Sequence, residues 1–533
     1  ETTTEKIRLK NIKWELNVEE SDAEEFDSSE ASNGFCYAYT PVLPDEDGDG
    51  NQLVLGKDVE LPTIYVLVGE YGIALLADGT IEVTEMNADG TAQPKYIAQN
   101  LATWIGEHGS ANLEKVSIKL LNDDASITST LTIDTRLAKE IELDLNGHTL
   151  TLQGGNARLY FKRVNITITS SGSNKGTITG SYNCSNKFKG EGLVTADYDS
   201  MLTIKCVTIE NAGTGSTVAM WGGVTCTIDN ASISGSSGDQ VGTITIDKGK
   251  ACTITNTEVT GNVGSGYGTI MFTDSCSDCT IDDGAVIKNK NSGGRCVGFG
   301  SYAIAASIKI TIKKGATLTA NAGRGTIMNT GYGKVAVGIE GGSFNGRLLL
   351  PVNSQIAGGT FAPASGCAIE ANNSKILQDL LKVGYTLQYD DDTYADLTAR
   401  WTDKGRKVTA VQSPLYFTTH PTISSGAETV MENYTASEAP ELTVKAVSDS
   451  GNISYQWYAD ETINGTTTTK VKQTGQGAKS ATYKIPTGLS AGTYQYYCVA
   501  TCGEYTATSK KAAFTVEEGV AEVTVGGNTT RYA

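Results

Sequence analysis

Through the middle of the chain, apolar and polar residues alternate over short runs, break at a polar turn, and return in the same order about 25 residues later. "TCTIDNASISGS" (225–236), "ACTITNTEVTGN" (251–262) and "DCTIDDGAVIKN" (278–289) are near copies. The Ile of each "CTI" marks a series: Ile204, Ile228, Ile254, Ile281, Ile312, Ile339 and Ile356. A second series trails it: Ile209, Ile233, Val259, Ile287, Leu318, Phe344 and Phe361. A third runs Val194, Val218, Ile244, Ile270, Val297, Ile327 and Leu349.

Three short strands per repeat predict a right-handed parallel β-helix. One coil cannot bury its apolar edge alone. Stacking rungs ~4.8 Å apart sets like residue over like and makes a continuous core. Cys226, Cys252 and Cys279 stand two residues before the marker, hence on the same inward face. Other rungs carry Leu202, Ile310 and Val337 there, so the cysteines read as small buried hydrophobes.

An open stack must cover its strand edges. Upstream, "QPKYIAQNLATWIGEHG" (93–109) sets Ile97, Leu101, Trp104 and Ile105 at helical spacing between a Pro and a Gly, which predicts a capping helix. Downstream, "NNSKILQDLLKVGYTLQYDD" (372–391) predicts a second, with Ile376, Leu377, Leu380 and Leu381 apolar and Gly384 as stop. The expected fold is all-β: a capped parallel β-helix over 87–411, β-sandwiches over 1–86 and 412–518, and a linker into a further module over 519–533.

Composition narrows the function classes. A chain of 533 residues with 60 Gly and 10 Pro reads as about three turn-rich globular domains. Its net charge of −18 repels phosphate backbones and anionic lipid, so nucleic acid and direct membrane binding are not expected. No apolar run reaches the ~20 residues of a membrane span. Eleven cysteines form no regular disulfide framework, and Cys276–Cys279 has no partner pair. With only His108, His148 and His420, neither a Cys/His metal site nor a cofactor is expected, and His148, in an Asn-Gly-His turn, reads as structural. Both ends, "ETTTEK" and "VTVGGNTTRYA", read as cuts, so a monomeric fragment of a longer tandem array is expected.

"IELDLNGHTL", the "GGSF" and "GGTF" turns, and "LQDLLKVGY" before an Asp-rich turn resemble the pectate-lyase-like β-helix modules of large Gram-positive surface proteins, many from gut Clostridia. The resemblance covers about residues 93–411. It implies a secreted, cell-surface protein of adhesin type, with wall attachment outside this chain. Its implied partners are host glycan, mucin or an extracellular host protein, immunoglobulin included.

In 1–86, "IKWELN", "FCYAYTPVL", "LPTIYVLV" and "GIALLADGTIEV" read as short strands between polar turns, and the segment resembles small bacterial Ig-like repeats. In 412–518, Trp457 and the Tyr496-x-Cys498 step resemble the strand C tryptophan and strand F tyrosine corner of an Ig fold. The strand B cysteine is missing, so Cys498 either packs unpaired on Trp457 or bonds to Cys502. "DEDGDGNQLVLG" (45–56) begins like an EF-hand with Asp45, Asp47 and Asp49. Its twelfth position is Gly56 where calcium needs Glu, which favours a solvated hairpin over a metal site.

Three functions compete for the β-helix. Non-enzymatic binding leads: Trp221, Tyr267, Arg295 and Arg324 lie beside the Gly-rich turns before the third strand, and aromatic faces with Arg suit sugar rings or a protein epitope. The alternative is a polysaccharide lyase or glycoside hydrolase. Asp229 and Asp282 stand two rungs apart on one outward column, near the ~9.5 Å limit of inverting geometry. Mixed charge along that column is also an ordinary way to keep a β surface soluble. Thr203, Thr227, Thr253, Thr280 and Thr311 form an outward ladder that suits ice binding, but β propensity explains it.

Overall fold

The computed structural model describes residues 79–519 apart from 88, 94, 185–190, 237–240, 262–266, 301–305, 322–324, 329–333, 352, 364, 373–374, 426 and 450, together with the backbones of six further strands toward the two ends. The chain divides into two compact units. The first comprises Glu1–Ser354, Gly359–Lys375 and Asp403–Lys407. The second comprises Gln355–Gly358, Ile376–Thr402 and Val408–Ala533, so the expected boundary at 411/412 falls inside it.

The first unit is a parallel β-helix with three sheets, here faces A, B and C. Each coil contributes one strand to each. The coil containing Met201–Lys205 (face A) continues through Val207–Asn211 (face B) to Ser216–Trp221 (face C). On face A the six markers from Ile204 to Ile339 lie in unbroken register. The neighbouring inward column runs Ile166, Leu202, Cys226, Cys252, Cys279, Ile310, Val337. All are buried. Alternation produces this arrangement: every second β-branched or Cys side chain points into the column, and the Thr and charged residues between point out.

The second series stacks as predicted from Ile209 to Phe361, ending in a Phe344–Phe361 ring stack at 4.9 Å. The third holds from Val194 to Ile327 and then slips by one, because Leu348 rather than Leu349 stands over Ile327. Three consecutive leucines carry no alternation from which to read the phase.

The turns repeat along with the strands. Between faces A and B, successive coils place a left-handed residue: Asn230, Asn256, Gly284, Gly315 and Gly342. Asn and Gly tolerate positive φ at least strain. At the far end of face B, buried Asn211 donates to the carbonyls of Tyr182, Gly215 and Ser216 and accepts from the amide of Gly213.

The upstream cap is mixed. The helix is Leu101–His108, started by Asn100, whose Oδ1 accepts from the Thr103 amide at 2.9 Å. Leu101, Trp104 and Ile105 are buried as expected. Ile97 is not helical: it lies in the strand Tyr96–Ala98, paired antiparallel with Ile81–Met86. Ile81–Met86 in turn pairs antiparallel with Leu113–Leu120, the first strand of face A, and covers its edge. Toward the N-terminus, Lys13–Leu16, Cys36–Val42, Ile64–Gly69 and Gly72–Leu75 form one antiparallel sheet. Asp45, Asp47 and Asp49 lie outside the described residues.

In the second unit the expected downstream helix shrinks to Leu377–Leu380. Gly384, at φ +90°, turns the chain into Tyr385–Tyr389, which pairs antiparallel with Val408–Gln412. Beyond it, Leu415–Ser425, Glu441–Ser448 and Thr482–Lys484 form one sheet. Thr429–Met431, Ala512–Glu517, Gly492–Cys502, Ser454–Ile463 and Thr466–Lys472 form another, and residues of both sheets share one core. Trp457 is in register with Cys498, and both are fully buried. Cys498 and Cys502 are free thiols. The Tyr494 hydroxyl donates to the Ser490 carbonyl at 2.7 Å. Tyr496, the expected corner residue, buries its hydroxyl without a partner.

Candidate functional site

Parallel register puts every strand start of face C on one edge and every strand end on the other. Tyr267 and Arg295 share the starting edge: the Arg295 amide donates to the Tyr267 carbonyl at 3.0 Å, and Arg295 is in register with Gly268. Trp221 closes the strand Ser216–Trp221, so it lies on the opposite edge, ~16 Å along at 3.3 Å per residue. The predicted binding residues therefore do not form one patch, and Arg324 lies outside the described residues.

Trp221 instead joins a cluster on the ending edge. Its column runs Asp134, Lys162 and Asp197, then Trp221 and Asp247 on the following coils. The exposed ring of Tyr198 lies 6.2 Å from that of Trp221, tilted by 44°. Lys162 Nζ and Arg163 Cζ each stand 5.0 Å from the Tyr198 ring centre. The Tyr160 hydroxyl donates to Asp197 Oδ2 at 2.5 Å, and the Tyr198 amide to Oδ1 at 2.7 Å. Asp247 accepts from the Thr273 hydroxyl at 2.9 Å.

The backbone is shaped to hold this cluster. Arg163, Tyr198, Asp199 and Lys248 all adopt positive φ in the turn from face C to face A. Gly222 and Gly223 complete it; a Cβ on Gly223 would come within 2.1 Å of Asp199 Oδ1. Burial raises the pKa of Asp197 and of Asp247, with Asp274 adding to the latter. Exposed aromatic rings next to acceptors and cations can stack on a sugar ring and bind its hydroxyls.

The alternative pair fares differently. Asp282 is bound by Lys313 at 2.7 Å, and that hydrogen bond holds its carboxyl below the usual range. Such a group remains ionised and cannot serve as a general acid near neutrality. Asp229 accepts from Asn256 Nδ2 at 3.2 Å. The threonine ladder stands in register from Thr203 to Thr311 as read, flanked by the mixed charges of Lys205, Asp229, Asp282 and Lys313. Among the described residues, no three His, Cys, Asp or Glu side chains gather as metal ligands.

Tyr198, Asp197 and Asp247 were missed, although a signal existed. Each third-series residue is followed three places later by this column: Val194 by Asp197, Val218 by Trp221, Ile244 by Asp247. No protein-family model and no curated protein matches this chain.

Proposed function

We propose that this chain is a non-enzymatic adhesin segment whose β-helix presents the Tyr198–Trp221 edge to host glycan, carried on mucin or on a host protein. The carrying observation is the pair of tilted aromatic rings, with cations above Tyr198 and carboxylates in the Trp221 column. A secreted, wall-associated setting follows from the resemblance to pectate-lyase-like surface modules. Ig-like spacers are supported by the Trp457–Cys498 register.

One observation favours a second reading, glycoside cleavage. Asp197 and Asp247 flank Trp221 two rungs apart, ~9.5 Å, at the limit of inverting geometry, and burial raises the pKa of both, which suits the acid of such a pair but not its base. A glycan array and a reducing-sugar assay on the same sample separate the two. Binding without turnover, lost in Trp221→Ala and Tyr198→Ala, supports the adhesin. Turnover lost in Asp247→Asn supports the enzyme, and a Trp221→Ala protein that binds like the parent removes this edge.

A further inference from the structure

Among the described residues six large hydrophobic side chains are exposed: Tyr198, Met201, Val383, Tyr394, Trp401 and Tyr505. Three of them, Val383, Tyr394 and Tyr505, line one cavity of about 510 Å³ in the second unit. Isolated exposed apolar residues are ordinary, but half of them converging on a single concavity is not. The volume falls within the range of small-molecule sites and accommodates two or three sugar rings.

The walls are fixed by polar contacts remote in sequence. Lys510 Nζ binds Asp379 at 2.6 Å, and the Lys510 amide donates to His420 Nδ1 at 3.1 Å. Gln378 Nε2 donates to the Thr508 carbonyl at 3.0 Å. The ring of Tyr416 comes close to Gly384, where a Cβ would meet it at 3.4 Å. The cavity is thus pre-formed. Lys510 and Asp379 neutralise each other, and the other charged lining residues, Lys382, Asp396 and Glu504, are of both signs, so the lining does not single out one ion. What it offers is aromatic faces interleaved with the hydroxyls of Thr386, Thr398, Ser413 and Thr506.

That chemistry matches a ligand with C–H faces and hydroxyl edges. We propose that this cavity is a second binding site, for a short neutral oligosaccharide, with Tyr394 and Tyr505 as its stacking platforms. The site is separate from the Tyr198–Trp221 edge and stands or falls without it.

The test is calorimetric titration of the full chain with cellobiose, lactose, chitobiose and maltotriose. At least one is expected to bind. Tyr394→Ala/Tyr505→Ala should weaken it tenfold or more, the matching Phe pair should hold within threefold, and Trp401→Ala, an exposed aromatic outside the cavity lining, should leave it unchanged. If the double variant does not fold, Tyr505→Ala alone is read the same way. Absence of binding by all four sugars, an alanine variant within twofold of the parent, or loss in Trp401→Ala instead would overturn the assignment.

Discussion

Cys226 lies directly over Cys252 on adjacent coils of face A, and both thiols are sealed from solvent. Cys279 continues the column. The contact with Cys252 and then burial raise the pKa of Cys226 and of Cys279, while burial pushes nearby Cys276 up to about 12. All three column thiols are sealed from solvent, so native-state labelling with a maleimide should spare them and reach them only on unfolding. Cys252→Val, close in volume and matched by Val337 in the same column, should change stability by less than about 1.5 kcal/mol. Cys252→Asp should prevent folding of the β-helix, since the column has no partner for a charge. Urea melts of the two variants distinguish a packing column from a functional thiol site.

Asn211 gives a second prediction. Its side chain satisfies three carbonyls and one amide inside a turn. Asn211→Ala removes these four bonds, although the Tyr182 carbonyl keeps the Gly215 amide at 2.9 Å, and should cost about 2–3 kcal/mol. On the next coil the same position is Gly235, at φ +105°, where a Cβ would come within 2.0 Å of the Asn211 carbonyl oxygen. Gly235→Ala should therefore destabilise at least as much although it removes nothing. Urea midpoints of the two variants test the ranking; a silent Gly235→Ala would mean the coils can move apart.

These two positions also mark what the sequence could reveal. Wherever alternation survived, as from Cys226 to Val337, the register was legible residue by residue, because a parallel stack repeats its inward set. It failed where alternation stops, at Leu348 and Leu349, and where one spacing served two structures. Ile97 fits the helical period of Leu101 and Trp104, yet Asn100 starts the helix after it. Trp221 was recognised as a candidate but assigned to the wrong edge, since proximity to a turn does not tell which end of a strand the residue occupies. The cavity was not legible at all: Gln378 and Thr508 meet across 130 residues with no period connecting them.

Asp247 carries the third prediction. Burial raises its pKa above the ordinary 3.8, so the folded chain holds its proton more tightly than the unfolded chain does. For a raised carboxyl, stability is fully present below the unfolded value and lost as pH rises through the folded one. At pH 7 the ionised side chain is therefore a burden. Asp247→Asn keeps an oxygen for Thr273 and removes the charge. Its Tm should equal or exceed that of the parent at pH 7, and the difference should vanish near pH 3.5. A variant less stable at pH 7 would show that the carboxylate is held by favourable contacts.

The last prediction concerns His420. Burial lowers its pKa below 6.5, the positive charge of Lys510 lowers it further, and Asp379 opposes both. The ring of Phe417 packs against it at 6.2 Å, and Nδ1 accepts from the Lys510 amide. The neutral imidazole is therefore the form the fold requires. With a depressed folded pKa, the unfolded chain takes up the proton first as pH falls. The contribution of His420 is complete above about pH 6.5 and is lost as pH drops through the folded value. Thermal melts of the second unit, followed by near-ultraviolet dichroism from its buried tyrosines and Trp457, should show Tm declining from pH 7 to pH 5. His420→Gln, which keeps a neutral acceptor in reach of the Lys510 amide, should flatten that decline while leaving the pH 7 value nearly unchanged. Equal slopes in the two proteins would assign the acid sensitivity to other groups and would leave the Lys510–His420 contact without a role in it.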